Sequence, residues 1–405
     1  MSEHLPREAL VVLGASQEHI PLYQEARRRG MPSIAVDVRR DAPGVGWADA
    51  ALTVSTRDVA AIAAALEGCG PAGIVGGASD AALASWHTLS ARFAGGYVYP
   101  KRALAACDKV ASRALAAACG IAGCPWVFSH DPATVVAKAR QLRFPLVVKP
   151  SGGSGSRGVT RVDRPAGLAA AVAHARSYGG DQAVIVEELA RGRPLAVQVF
   201  MAGGQAVMAC ALDKRLWPDT FVVRGLCTAE LPDAVYERVR SAAERLCRAL
   251  GIVDGPASVD MALDTDGQVR FIEINPRLGG DGVPRLLAAA YGVDVVRAVV
   301  AMALGEPFSG LLRPTRASHA GLELIGSPVG VAGELVSWGG VAEACHVRGV
   351  TDIALYAQPG DRVWPHHHSG RTIGLVVAAG ATPAQACAAV AEARGLVRPH
   401  VVGGV

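Results

Sequence analysis

Ser258-Val-Asp-Met-Ala-Leu-Asp-Thr-Asp-Gly-Gln-Val-Arg-Phe-Ile-Glu-Ile-Asn275 alternates polar and apolar residues on both sides of Asp264-Thr-Asp-Gly267, which is turn chemistry. Period-two alternation flanking such a turn predicts a β-hairpin. With Leu263 paired to Gln268 across the turn, Asp260 faces Phe271, and Glu273 and Asn275 fall on the same side of the sheet as Asp260. Met261, Ile272 and Ile274 then point to the opposite side and are expected in the core. Two carboxylates and an amide oxygen on one face are hard donors, the kind magnesium takes when phosphate oxygens complete its shell. A merely solvated sheet face shows the same alternation. The residues after Asn275 favour the metal reading, because Pro276-Arg-Leu-Gly-Gly-Asp281 sets Arg277, Gly279 and Gly280 directly behind the carboxylate strand. The guanidinium can meet an anion beside a metal, and the glycines allow close approach of backbone to substrate.

A second stretch, Phe144-Pro-Leu-Val-Val-Lys-Pro150, reads as an apolar strand with Lys149 at its end, followed by Ser151-Gly-Gly-Ser-Gly-Ser-Arg-Gly158. Backbone N–H groups and hydroxyls in such a loop can wrap phosphate oxygens. Gly153, Gly155 and Gly158 satisfy G-x-G-x-x-G, but Val159-Thr-Arg-Val162 reads as a returning strand where a dinucleotide fingerprint must open a helix. A Walker A loop fails as well, since no Gly-Lys-Ser/Thr follows. The loop is therefore expected to be a hairpin flap over phosphates. Downstream, Ala183-Val-Ile-Val-Glu-Glu-Leu189 is another apolar strand ending in two acids, placed to offer Glu187 to an exocyclic amine and the next backbone groups to a purine edge.

The order of these features resembles the ATP-grasp superfamily: Asp108-Lys109 opening a helix, Lys149 before a glycine-rich flap, Glu187-Glu188-Leu189, Asp260, then Glu273-Ile-Asn275-Pro-Arg277. Within it the chain is similar to carboxylate-amine ligases close to the L-amino-acid ligases and to biotin-carboxylase-like enzymes. The resemblance implies an α/β (α+β ATP-grasp) fold with a Rossmann-like domain over 1–99. An ATP-grasp domain over 100–310 comes next, with a lid at about 122–186, and a small β-rich domain over 311–405 completes the site. It further implies that Lys109 and Lys149 contact ATP phosphates, that residues around Gly155 and Ser156 close over them, and that Glu187, Glu188 and the backbone near Leu189 hold adenine. Asp260, Glu273 and Asn275 would bind two magnesium ions, with manganese as a substitute and Glu273 as the bridge. Arg277 would steady an acyl phosphate, with Gly279 and Gly280 beside the substrate.

The activity implied is an ADP-forming ligation of a carboxylate to an amine through an acyl phosphate, on small amino-acid-like substrates, with homodimers compatible with it. Bicarbonate activation and ATP binding without catalysis are the alternatives. The chain departs from its relatives in three places. Pro194 follows Gly192-Arg193 where an acid often lies near the ribose, Gln198 stands where a further acid is common, and Arg224 replaces a frequent glutamate. Arg224 is either a contact for a substrate carboxylate or phosphate, or a surface arginine.

The remaining sequence bounds the partners. A length of 405 residues exceeds one ordinary core and implies two or three packed units. A charged fraction of 19% with 51% hydrophobic residues describes a globular chain and not a disordered scaffold. The net charge is +4 and no basic run with interleaved aromatics occurs, so no nucleic-acid partner is expected. No stretch reaches the roughly 18 apolar residues that span a bilayer. The first residues lack an apolar signal region, so no membrane and a cytoplasmic location are expected. Nine cysteines without a Cys-x-x-Cys pair suggest neither a disulfide framework nor zinc, and most are expected as small buried hydrophobes. His366-His-His368 would point in different directions on a strand, which suits a polar turn near the site better than a metal centre.

Overall fold

A computed structural model of the chain describes residues 5–93, 96–153, 155–327 and 332–403. The leading sheet has four parallel strands in the order Ala50–Leu52, Ser33–Val36, Leu10–Leu13, Gly73–Gly76. Leu10–Leu13 and Ser33–Val36 are buried throughout, as expected of parallel strands covered on both faces. Helix Ile20–Arg28 makes the crossover between them.

A second sheet, of antiparallel strands in the order Trp126–Ser129, Val184–Glu188, Leu146–Pro150, Thr160–Val162, carries the flap. Helices Pro132–Ala139 and Leu168–Gly179 cover one of its faces, and Val135, Leu146, Val148, Val172, Val184 and Val186 make a core of its own. Strand alternation decides what faces the other way. With Leu146, Val148, Val184 and Val186 committed to this core, Val147, Lys149 and Glu187 face the cleft beneath the lid.

The largest sheet is antiparallel and eight-stranded, ordered Val269–Asn275, Gly255–Leu263, Arg193–Ala202, Gln205–Leu216, Val223–Thr228, His319–Ile325, Gly374–Gly380, Val350–Leu355. The last three strands lie beyond residue 310, so the sheet runs on across the boundary expected there. Helix Pro383–Leu396 and a small sheet of Arg362–Val363, Gly333–Gly339 and Arg398–Gly403 enclose a further core with Ile325, Val376 and Ala378. Helices Val283–Tyr291 and Val295–Ala303 are bent by 114° at the break between them and are largely buried. Among the described residues no single helix is long and apolar enough to cross a membrane.

The hairpin register differs from expectation. Leu263 pairs with Val269 and Met261 with Phe271, then the register shifts, so that Asp260 pairs with Glu273 and Ser258 with Asn275. The shift leaves Ile272 as the extra residue of a β-bulge. Phe271 and Ile274 therefore fill the core, while Ile272, expected there, is only partly buried and lines the cleft. A register one residue from the expected one would have put Asp260 and Glu273 on opposite faces. The bulge adds a second residue and brings them back together, side by side on neighbouring strands.

Gly192 begins the turn from the lid into the central sheet with φ +118°, and a Cβ there would lie 2.1 Å from the Leu263 carbonyl oxygen. Gly192→Ala is therefore expected to lose about 2 kcal/mol or more of stability through backbone strain and that clash. Chemical denaturation of the variant checks this, and an unchanged midpoint would contradict the close approach.

Candidate active site

Two lysines from different elements reach the carboxylate pair, and a third acts on it from its own pairing with Glu187. Lys214, on strand Gln205–Leu216, places Nζ 2.6 Å from Asp260 Oδ2. Lys109, the first residue of helix Lys109–Ala118, lies 3.8 Å from Glu273 Oε1 and donates to the Gly153 carbonyl of the flap at 2.7 Å. Asp108 caps that helix through the Val110 and Ala111 N–H groups, which fixes where Lys109 starts. Lys149 is ion-paired to Glu187. Burial works against the charge on Glu273, but Lys109 and Lys149 outweigh it and hold this carboxyl below its usual range. Burial lowers the Lys149 ammonium despite Glu187. The lysines thus favour the charged form of Glu273 beside Asp260.

Two cavities meet at this pair. A slot of about 300 Å³ under the lid is lined by Lys109, Lys149, Leu189, Met261 and Ile272, and a larger cavity of about 560 Å³ opens beyond it. Asp260, Glu273, Lys214, Gly155, Ser156 and Phe221 belong to both walls. Ser156 donates to the Phe221 carbonyl at 2.9 Å and so docks the flap on the body between the two. Ser154, within the flap, lies outside the described residues. The larger cavity also takes Asn275, Arg277, Gly279 and Gly280, and a Cβ on Gly279 would meet Gln198 Oε1 at 2.5 Å. Among the described residues no group of three or more His, Cys, Asp or Glu gathers to hold a metal. The donor set is two carboxylates and one amide, which fits an ion that draws its other oxygens from phosphate and water.

Some expected contacts are differently engaged. Glu187 lines the slot already engaged, because Arg113 Nε donates to one of its oxygens at 2.8 Å and Lys149 pairs with the other. The N–H groups of Glu188 and Leu189 are bonded to the Pro125 and Pro145 carbonyls at 2.9 Å, and the Glu188 carboxylate accepts from the Arg143 N–H at 3.0 Å. Arg224, expected either as a substrate contact or as a surface arginine, is not in the lining of either cavity. Val223 and Leu226 take the cavity side of their strand, and Arg224 turns to the other face, 3.5 Å from Glu323 and over the Trp217 ring. Lys214 supplies the cation on the cavity side instead. Arg277 does line the cavity, held by Asp80 at 2.7 and 3.2 Å and by the Leu278 carbonyl at 2.9 Å.

Sequence reasoning missed Arg113, Asp80 and Lys214, and it gave no residues for the wall made by the leading sheet. That wall carries Glu18, His19, Asp37 and Arg39. His19 accepts or donates at Nδ1 with Ser16 Oγ, 2.8 Å away, and burial pushes its imidazole down to about 4. Burial, then the facing Asp281 carboxylate, pushes the Glu18 carboxyl up to about 7. Burial raises Asp281 as well. His368 reaches the same cavity, whereas His366 is held by Trp217 and Thr372.

Residues 142–285 match the ATP-grasp domain family, and residues 328–402 match the L-amino acid ligase C-terminal domain 2. The D-alanine–D-alanine ligase of Kineococcus radiotolerans is 34% identical over 49% of this chain and 60% of its own. The uncharacterized protein y4rH of Sinorhizobium fredii is 31% identical over 67% of this chain and 56% of its own. The chain thus spans little more than half the length of these relatives. The solved L-amino acid ligase of Bacillus licheniformis is 20% identical with a TM-score of 0.81, covering 98% of this chain and 100% of that one. The biotin carboxylase domain of the Hydrogenobacter thermophilus 2-oxoglutarate carboxylase, solved with MgADP and bicarbonate, is 15% identical with a TM-score of 0.79 over 98% of this chain and 92% of its own. At these identities the solved structures establish the fold alone.

Glu18 gives the chain a pH signature. Its folded carboxyl titrates near 7 against an ordinary value of 4.5, so the folded state holds more protons between those limits and loses stability as pH rises through them. Glu18→Gln is expected to raise the melting temperature by a few degrees at pH 8, with the gain shrinking toward pH 5. A gain that does not vary with pH would contradict the burial of a charged Glu18 against Asp281.

Proposed function

We propose that the chain is an ATP-dependent carboxylate-amine ligase that forms an amide through an acyl phosphate and releases ADP and phosphate, acting on amino-acid-like substrates. The observation that carries this reading is the meeting of two unlike cavities at Asp260 and Glu273, one largely apolar with Lys109, Lys149 and Lys214 in its lining, the other polar and walled by all three parts of the chain. ATP occupies the slot, with its triphosphate along Lys109, Lys149, Gly155 and Ser156. Its base lies toward Leu189, Ala190 and Ile272, and with the Glu187 carboxylate already paired, Glu187 acts as the anchor of Lys149. Two magnesium ions, or manganese in their place, would be held by Asp260, Glu273 and Asn275. They would offset charge on the β- and γ-phosphates.

In the larger cavity a substrate carboxylate oxygen attacks the γ-phosphorus, and the bond to the bridging oxygen of ADP breaks. Arg277, oriented by Asp80, faces the charge that builds on the transferred group. An amine nitrogen then attacks the acyl carbon and phosphate leaves. An amine that arrives as ammonium meets two carboxylates, Glu18 and Asp281, and Glu18 is basic enough to accept its proton near neutral pH. Positioning by the three walls supplies most of the acceleration.

Bicarbonate is the alternative acid, favoured by the biotin carboxylase neighbour. The match of residues 328–402 to an L-amino acid ligase domain supports an amino-acid pair. A screen of ADP release with amino acids singly and in pairs, with and without bicarbonate, followed by product mass, separates these. Glu273→Ala should lower ADP release by about 100-fold or more, as expected when a group that stabilises the transition state is removed, while melting changes little. ADP release at a near wild-type rate in this variant would contradict the assignment. Nucleotide binding without ADP under every mixture would point to a binding protein instead.

A further inference from the structure

Four of the nine cysteines, Cys69, Cys210, Cys227 and Cys247, are buried, and Cys107 and Cys345 are exposed. Two thiols far apart in sequence meet outside the cavities. Cys227 is on strand Val223–Thr228 and is 3% exposed, and Cys387 is in the second turn of helix Pro383–Leu396 and is partly exposed. Their sulfurs lie 2.8 Å apart, and Cys227 Sγ is also 3.7 Å from the Pro383 carbonyl oxygen.

We infer that Cys227 and Cys387 are a peroxide-sensitive thiol pair, which closes to a reversible disulfide joining the last helix to the central sheet. The sulfurs need only a small approach to reach the bond length of about 2.05 Å. The division of labour follows from their surroundings. Hydrogen bonding to Cys227 leads, with burial opposing and Arg215 assisting, and the Cys387 thiol is held at about 7, while Cys227 is pushed up. Cys387 is thus the thiolate and is also the one solvent reaches. Its sulfur attacks a peroxide oxygen, the O–O bond breaks, and a sulfenic acid and hydroxide form. The Cys227 sulfur then attacks the Cys387 sulfur, the S–O bond breaks and water leaves. Two thiols and one hydrogen peroxide thereby give one disulfide and two waters. The strand so tied also carries Val223 and Leu226 of the larger cavity.

The test treats the full chain with hydrogen peroxide, blocks remaining thiols, and maps peptides without reduction, using Cys107 and Cys345 as internal proof that the oxidant acted. The expected result is a linked pair containing Cys227 and Cys387, lighter by two hydrogens, in the majority of chains and lost on adding dithiothreitol. In Cys227→Ser the link disappears and Cys387 is trapped by dimedone, which it escapes in the parent chain. Oxidation of Cys107 and Cys345 with Cys387 still open to alkylation and no linked pair would overturn the inference. So would equal dimedone labelling of Cys387 in both proteins.

Discussion

Asp260 and Glu273 stand opposite each other across two hydrogen-bonded strands, and like charges so placed repel unless cations stand between or beside them. Much of the site can be understood as the response to that constraint. Lys214 comes to Asp260 from the same sheet, Lys109 to Glu273 from a helix start, and Lys149 from the lid. Each cation is itself placed by something else. Glu187 and Arg113 fix Lys149, Asp108 fixes the turn that presents Lys109, and register with Leu226 fixes which way Lys214 points. The charges balance only when lid, helix and sheet are assembled, so the electrostatics of the pair and the packing of the fold are one problem.

What was legible in the sequence is what short-range patterning encodes. The hairpin, its turn, the apolar strand before Lys149, the helix opened by Asp108 and the first βαβ unit all come from period and capping, and they stand within a residue or two of expectation. The shared face of Asp260, Glu273 and Asn275 was also legible, although the pairing assumed for it was not the one found. A bulge has no reliable signature in alternation, since one extra apolar residue such as Ile272 looks like any other strand residue.

The misses are of one physical kind. Asp80 and Arg277 are 197 residues apart and Arg113 and Glu187 are 74 apart, and no local pattern announces such pairs. Arg224 is similar, because the side of a strand that a residue takes depends on irregular pairing with its neighbour, here the shift between Arg215 and Leu216. The residues of the wall made by the leading sheet stayed hidden for the same reason, as Glu18 acquires its meaning only where Asp281 faces it. The two cavities, by contrast, are where the proposed ligation would be divided into its two stages. One volume is largely apolar with lysines along it, the other is polar, and the carboxylate pair is the wall they share.

The most direct measurement is a crystal structure with a non-hydrolysable ATP analogue and magnesium. The account predicts phosphate oxygens between Lys109 and Lys149 on one side and metal bound by Asp260, Glu273 and Asn275 on the other, with the base in the slot beside Ile272. A nucleotide found in another cleft, or in this slot with Asp260 and Glu273 bound to no metal, would contradict it.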